Sequence, residues 1–200
     1  MSDEIEPEPG TPTPSTDYIK DGNDASNVRL IKEYALFLYP DGETYTKPTS
    51  TAWQPGEGKQ PIGYSSEDGV EITAEAGDTS TIKAHNGDTV VEETSDGNWI
   101  IKLAGIESKQ EVAEAYFGVK AVNGVLSVTS AANNTKYALV LAGLDQYGRP
   151  ILLHAASCTV GDREAIKLSS SEEVSYGISF KTFKDSDGKH FDLYGMFPTD

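Results

Sequence analysis

The histidines and the cysteine, which could support catalysis or metal binding, are scattered along the sequence. His85, His154 and His190 lie on separate predicted strands, without the HxH or HxxxH spacing that brings two imidazoles to one metal ion. The single cysteine, Cys158, lies in an apolar strand, which favours a small buried residue over a reactive thiolate. The sequence therefore predicts no metal site, no cofactor and no thiol chemistry.

Three further motifs resemble catalytic or ligand-binding signatures without their structural context. Ser80 and Lys83 match the SxxK of serine acyl-enzymes, but the local pattern predicts a strand, which directs residues three apart to opposite faces. Residues 185–188 resemble part of a calcium loop that lacks its later acidic ligands. The glycines of residues 56–58 precede no helix that could bind phosphate. We therefore expect a protein without catalytic activity.

Acidic residues are in excess and unevenly distributed. The 200 residues carry a net charge of -16, which argues against binding nucleic acid by neutralising phosphates. Residues 1–24 interleave acids with prolines, so we expect a flexible arm over residues 1–26. Residues 65–96 hold nine acids and one lysine, on a stretch predicted to form sheet. The arm and this stretch therefore need separate explanations.

The compartment follows from two features that the sequence lacks. Its first residues have neither the positive nor the apolar part of a secretory signal. Its longest apolar stretches fall far short of the ~20 residues of a membrane-spanning helix. We therefore expect a soluble protein, made in the cytoplasm and without a membrane partner.

Short strands dominate the predicted secondary structure. Residues 28–39 form a long apolar strand that ends at a Pro-Asp-Gly turn, and a Pro- and Gly-rich loop of about twenty residues follows. The Ser-Asp-Gly of residues 95–97 predicts a hairpin between the strands before and after it. Further strands are predicted over residues 70–75, 79–85, 89–94, 98–103, 125–128, 137–144, 151–160, 175–183 and 190–197.

One segment has helical rather than strand periodicity. Ser108 and Glu111 form a capping box, apolar residues follow at helical spacing, and Gly118 is a natural terminator. No stretch between these elements has the composition and length of a domain linker, so residues 27–200 are predicted to form one domain. Its fold is expected to be mainly β: an antiparallel, barrel-like β-sandwich with one short flanking α-helix, a flexible N-terminal arm and a long loop.

The order of several motifs is similar to that of a known protein family. The motifs are Asn27-Val28-Arg29, Tyr39-Pro40-Asp41-Gly42 before the long loop, residues 62–70 (IGYSSEDGV), residues 82–88 (IKAHNGD) and residues 111–118 (EVAEAYFG). In this order they resemble the major tail tube proteins of long-tailed, non-contractile bacteriophages, over about residues 27–197. His85 departs from the aromatic residue that relatives tend to carry there.

The resemblance implies a structural virion protein of the phage tail. Such proteins fold as a β-sandwich with one helix and form hexameric rings, which stack into the tube through which genomic DNA leaves the capsid. Its expected partners are further copies of the chain and the tape measure, tail tip and tail terminator proteins, with assembly in the host cytoplasm. The DNA is expected to pass without sequence-specific binding.

A tube of this kind gives two groups of residues a role. An acidic lining would not retain DNA, because it offers phosphates no cation. Residues 70, 72 and 74 are expected to face the core, so the alternate residues of that strand become candidates for the lumen. The lumen candidates are Glu71, Thr73 and Glu75, with Glu92 and Glu93, and the candidates for contact between rings are Tyr45, Trp53, Lys59 and Tyr64.

A second hypothesis uses the same aromatic residues differently. Tyr45, Trp53 and Tyr64 could form a stacking platform on an immunoglobulin-like or carbohydrate-binding module displayed on the virion. Such a module would remain monomeric, whereas a tube protein polymerises.

Overall fold

Antiparallel strands form most of the structure, a computed structural model that describes residues 19 and 21–198. A 3-10 turn at Ala25–Asn27 precedes the first strand. The elements are β1 (Ile31–Pro40), β2 (Glu71–Glu75), β3 (Thr79–Lys83), β4 (Thr89–Thr94), β5 (Asn98–Gly105), α1 (Gln110–Phe117), β6 (Lys136–Asp145), β7 (Pro150–Arg163), β8 (Tyr176–Thr182) and β9 (Asp192–Tyr194). The mainly β fold with one α-helix confirms the expected fold class, and its sheet is not closed into a barrel.

The 14-residue strand β7 joins two halves of one sheet, whose strand order is β1-β6-β7-β8-β5-β2 with β9 also on β7. It pairs with β6 as far as Thr159, with β9 near its start and with β8 from Cys158 onward. Apolar residues from both halves meet in one cluster, including Leu36 and Leu139 from one and Ile101 and Phe180 from the other. The sheet therefore folds over itself around β7, with the core between its halves.

The helix α1 covers one part of this core with Val112 and Ala115. It ends at Gly118, whose φ of 72° is the left-handed conformation that glycine adopts readily. The predicted capping box is wrong, because the N-cap is Lys109 and makes no side-chain hydrogen bond. The Ser108 hydroxyl instead lies 2.9 Å from the hydroxyl of Tyr176 on β8.

The hairpin predicted between β4 and β5 is also wrong. Strand β5 pairs with β2, where Glu75 lies opposite Asn98, and β4 pairs with β3, where Thr94 lies opposite Thr79. On each side of the hairpin, three residues separate the β2–β5 pairing from the β3–β4 pairing. Residues 71–105 thus form one long hairpin, interrupted at residues 76–78 and 95–97.

Two glycines lie at this interruption. A Cβ atom on Gly77 would overlap the backbone carbonyl of Ser95, and one on Gly97 would overlap the carbonyl of Glu75. The two sides of the hairpin therefore approach so closely at this point that neither position accepts a side chain.

Other boundaries depart more mildly from the sequence predictions. Residues 125–128 form no strand; Val125 makes only an isolated bridge with Val122. The last strand shortens to Asp192–Tyr194. On β2, Ile72 and Ala74 are exposed rather than buried, and only the neighbouring Val70 packs against the core. Among the described residues, no helix is long and apolar enough to cross a membrane.

The position of the core predicts that two apolar side chains contribute very differently to the free energy of unfolding. Phe180 is fully buried, and its replacement by alanine leaves a cavity between the sheet halves, so Phe180→Ala should lower the free energy of unfolding by about 3–5 kcal/mol. Ile82 on β3 is 59% exposed, so Ile82→Ala should change it by less than about 0.5 kcal/mol. Urea unfolding of the unassembled subunit measures both, and equal effects would contradict this core.

Candidate functional site

The outer faces of the two sheet halves differ. The outer face of β1, β6 and β7 is covered by the loop after β1 (residues 41–61), whose aromatic side chains pack on Phe37 and Tyr39. On β5 and β8, the residues that alternate with the core are half-exposed or small, among them Ser179, Lys181 and Ala104. None of these three residues belongs to either buried apolar cluster, and we call this second face the uncovered face.

Three of the lumen candidates, Glu71, Thr73 and Glu75, are exposed on β2 at the border of the uncovered face. Glu71 lies opposite Lys102 on β5, and Thr73 lies opposite Ile100. The Glu75 carboxylate is 3.2 Å from the ammonium of Lys181 on β8. The face is therefore not purely acidic, since lysines lie among its carboxylates.

A third carboxylate, from the residue after β7, belongs to the same face. Glu164 Oε1 lies 2.6 Å from Lys102 Nζ, and this partner raises the pKa of Lys102. Glu71, Glu75 and Glu164 thus stand against Lys102 and Lys181. Both lysines are held by carboxylates, so neither ammonium is free of a counter-charge.

The remaining lumen candidates, Glu92 and Glu93, lie on β4 and point to opposite sides of the hairpin. Glu93 is opposite Ser80 and shares its side with the pair of Ile82 and Val91. Glu92 is opposite Thr81 on the other side. A single surface can therefore include only one of these two carboxylates.

Two candidates from the long loop, Tyr45 and Trp53, pack on the chain's own sheet. The Trp53 ring meets Phe37 edge to face at 5.6 Å, and its indole N–H donates to the Thr46 carbonyl at 2.7 Å. Tyr45 stacks on Tyr39 with 4.7 Å between ring centroids. Both rings anchor the loop to the outer face of the first sheet half.

The other two loop candidates differ in their surroundings. Lys59 binds both carboxylate oxygens of Glu43, at 2.7 and 2.8 Å, and lies over the Tyr39 ring at 4.4 Å. The side chain of Tyr64 is 76% exposed, while its backbone N–H donates to Glu107 at 2.8 Å. Of the four, Tyr64 presents the most surface to a neighbouring molecule.

Sequence reasoning missed an ionic anchor at the turn between β6 and β7. The fully buried carboxylate of Asp145 accepts hydrogen bonds from Arg29 at 2.7 Å and from Arg149 Nε at 2.8 Å. Burial alone would raise the pKa of Asp145, but backbone N–H groups of Tyr147 and Arg149 and the two guanidinium groups hold it well below its usual range. The only signal in the sequence was an acid at a strand end.

The same turn holds the segment that precedes β1. The Gln146 side chain accepts from the Leu30 N–H at 2.7 Å and donates to the Val28 carbonyl at 2.7 Å, as a neighbouring strand would. Arg149 donates to the Ser26 carbonyl at 3.0 Å. The end of the predicted arm is thus fixed to the fold, whereas residues 1–18 and 20 lie outside the described residues.

The cysteine and two of the histidines, considered above for catalysis or metal binding, are buried or lie within hydrogen-bond distance of another side chain. Burial raises the pKa of the Cys158 thiol to about 12, and His190 Nδ1 lies 3.0 Å from the Thr182 hydroxyl. His154 is buried, and its Nε2 lies 2.9 Å from the Tyr45 hydroxyl. Over residues 19 and 21–198, no three His, Cys, Asp or Glu side chains come together as a metal site would require.

The buried His154 predicts a pH dependence of stability. Burial, aided by the charge of Lys47, lowers its pKa to about 4 from 6.5, so the unfolded chain binds the proton first as the pH falls. Stability contributed by the neutral ring should therefore decline from about pH 6.5 to pH 4, by about 2 kcal/mol. Urea unfolding of the wild type and His154→Gln at both pH values measures this. A loss of the same size in the variant would contradict it.

One protein family and several solved structures are similar to this chain. The phage tail tube protein family matches residues 26–194. The PVC sheath-tube complex of an extracellular contractile injection system, in its extended state, contains a similar chain: 10% identity, coverage of 90% of this chain and 98% of that one, TM-score 0.36. A chain of the anti-feeding prophage baseplate has 9% identity, coverage of 84% and 95%, and TM-score 0.43.

No curated protein matches the sequence. The family match spans the arm's fixed end and every strand of the fold, from the 3-10 turn to β9. The chain therefore belongs to the phage tail tube protein family and is a structural protein of the tail tube.

Proposed function

We propose that the chain forms closed rings of six subunits that stack into the tail tube of a long-tailed, non-contractile phage. The observation that carries the ring is the open sheet, whose path ends at β1 and β2. In the described chain, the outer edge of β1 receives a hydrogen bond from Ile62, and that of β2 receives none. Pairing the edges of neighbouring subunits around a ring would remove two aggregation-prone edges at once.

In this proposal the uncovered face lines the lumen. The long loop already covers the outer face of the other sheet half, which suits the outside of a tube. Between its charged side chains, the uncovered face carries residues with short side chains, including Thr73, Ala104 and Ser179. Glu71, Thr73 and Glu75 are then lumen residues, and Glu92 is the better lumen candidate on β4.

The lining would avoid retaining DNA by masking its own cations. A free lysine in every subunit would add one phosphate contact per subunit, and such contacts accumulate along the tube. Glu75 holds Lys181 and Glu164 holds Lys102, which leaves Glu71 as the carboxylate in excess. We thus refine the expected acidic lining to a weakly acidic one whose lysines are paired.

Contacts between rings are assigned to the loop after β1 and to the residues that follow it. Tyr45, Trp53 and Lys59 would act indirectly, since their packing fixes the shape of the loop. Tyr64 would make direct contact through its exposed ring. The predicted arm of residues 1–26 would add a further contact, from its fixed end at the β6–β7 turn.

The ends of the tube require other proteins. We assign these roles to a tail terminator, a tail tip and a tape measure protein, with assembly in the host cytoplasm. No observation favours the monomeric binding module, because Tyr45 and Trp53 pack inward and form no stacking platform. An enzymatic role has no support in the arrangement of His154, His190 and Cys158.

The proposed assembly predicts particles visible by negative-stain microscopy. The purified chain, at high concentration or with tail tip proteins as initiators, should form rings or tubes with sixfold symmetry. Sedimentation should show species heavier than the subunit. A chain that stays monomeric under both conditions would contradict the proposed function, and rings of another stoichiometry would contradict the hexamer.

The lumen assignment predicts that DNA is retained when the charge of β2 is reversed. Glu71→Lys/Glu75→Lys frees Lys181 and adds two more cations per subunit, so assembled tubes should hold short double-stranded DNA that is protected from nuclease. The affinity should fall at least about tenfold between 50 and 200 mM salt. Sedimentation of DNA with wild-type tubes should recover none.

The matched control is Glu172→Lys/Glu173→Lys, the same change of charge on two exposed residues of the segment between β7 and β8. DNA bound to these tubes should remain open to nuclease. Equal protection in the control, or none in the β2 variant, would remove β2 from the lumen.

A further inference from the structure

The outer part of the long hairpin has no partner within the described chain. Every residue of β3 and β4 is exposed, and the two strands pair only with each other. An isolated two-stranded hairpin is marginally stable in water at best. We call residues 78–96 the projecting hairpin.

One side of the projecting hairpin carries an apolar pair. Ile82 and Val91 lie directly opposite each other and are 59% and 47% exposed. Nearby, the projecting hairpin carries five acids, namely Asp78, Asp88, Glu92, Glu93 and Asp96, against the single base Lys83. On the side of the apolar pair the acid is Glu93, whereas Glu92 lies on the other side, and the hairpin as a whole is negative.

A second exposed apolar surface lies at the β6–β7 turn. Val28, Leu30 and Tyr147 are each more than half exposed, and Leu144 is 40% exposed. The Gln146 side chain ties this surface together through its two hydrogen bonds to the backbone of residues 28 and 30. We call residues 28–33 and 144–149 the turn surface.

The turn surface has the opposite charge to the projecting hairpin. It carries Arg29, Lys32 and Arg149 against Glu33 and Asp145, in a chain whose net charge is -16. The Asp145 side chain is completely buried, while those of Arg29 and Arg149 are 15% and 39% exposed. Lys32 and Glu33 are both exposed, so the turn surface presents an apolar surface with a small excess of positive charge to a partner.

We infer that the projecting hairpin of one subunit docks on the turn surface of a second copy, with Ile82 and Val91 against Leu30 and Tyr147. Apolar centres with a complementary charged rim are typical of specific interfaces. The contact is heterologous, because two different surfaces meet, so it repeats from subunit to subunit. This inference rests on the proposed assembly and identifies the surfaces that would hold it together.

Charge reversal tests the rim. Lys32→Glu and Glu93→Lys should each raise the concentration needed for half-assembly about tenfold, and the double variant should return to within about threefold of the wild type. Glu173→Lys, combined with Lys32→Glu, is the control that restores only the net charge and should not rescue assembly. Additive losses in the swapped double variant would overturn the pairing.

Cross-linking tests the apolar centre. Subunits with Val91→Cys are assembled with subunits carrying Leu30→Cys and then oxidised with diamide; the native Cys158 is buried and should not react. A disulfide-linked pair of the two different subunits is expected. Leu168→Cys, at an exposed site between β7 and β8, replaces Leu30→Cys in the control and should give none.

The outcomes separate this inference from the proposed function. Tubes that form but give no mixed disulfide, or give as much with Leu168→Cys, overturn the docking and leave the assembly intact. A wild-type chain that forms no rings or tubes overturns both.

Discussion

The fold depends on one long strand, β7, which pairs with strands of both halves of the sheet. Because β7 pairs with β6 as far as Thr159, with β9 near its start and with β8 from Cys158 onward, the sheet folds over and buries its core between its own halves. The chain does not return to join β1 to β2. Within the described residues, the outer edge of β2 receives no backbone hydrogen bond and that of β1 receives one, from Ile62. The folding that buries the core thus leaves a strand edge at each end of the sheet.

The sequence predicted the parts of this architecture that local patterns encode. The apolar runs of β1, β6 and β7, the long loop and the end of α1 at Gly118 agree with the structure, because burial and backbone conformation decide them locally. The partners of β5 could not be read in this way. A Ser-Asp-Gly turn beside a strand suggests a hairpin, but β5 gains more by pairing with β2 and β8 on both of its sides.

The candidate site was predictable in its positions but not in its electrostatics. Alternation along β2 correctly placed Glu71, Thr73 and Glu75 together on one side of that strand. The lysine that holds Glu75 comes from β8, more than a hundred residues further along the chain. The Asp145 anchor is equally non-local, since Arg29 lies 116 residues before it. The charge counted over residues 65–96 therefore overstates the acidity of this face.

At Gly77 and Gly97 the two sides of the long hairpin approach closely, and we call this place the glycine crossing. It separates two parts of the hairpin in which side chains are constrained differently. Every residue of β3 and β4, beyond it, is exposed, so these side chains belong to the surface of the subunit and contribute nothing to its interior. The crossing itself is intolerant, because any side chain there would push the strands apart and redirect all that follows. Two residues without side chains thus fix the direction of the projecting hairpin, and its exposed side chains decide what it can contact.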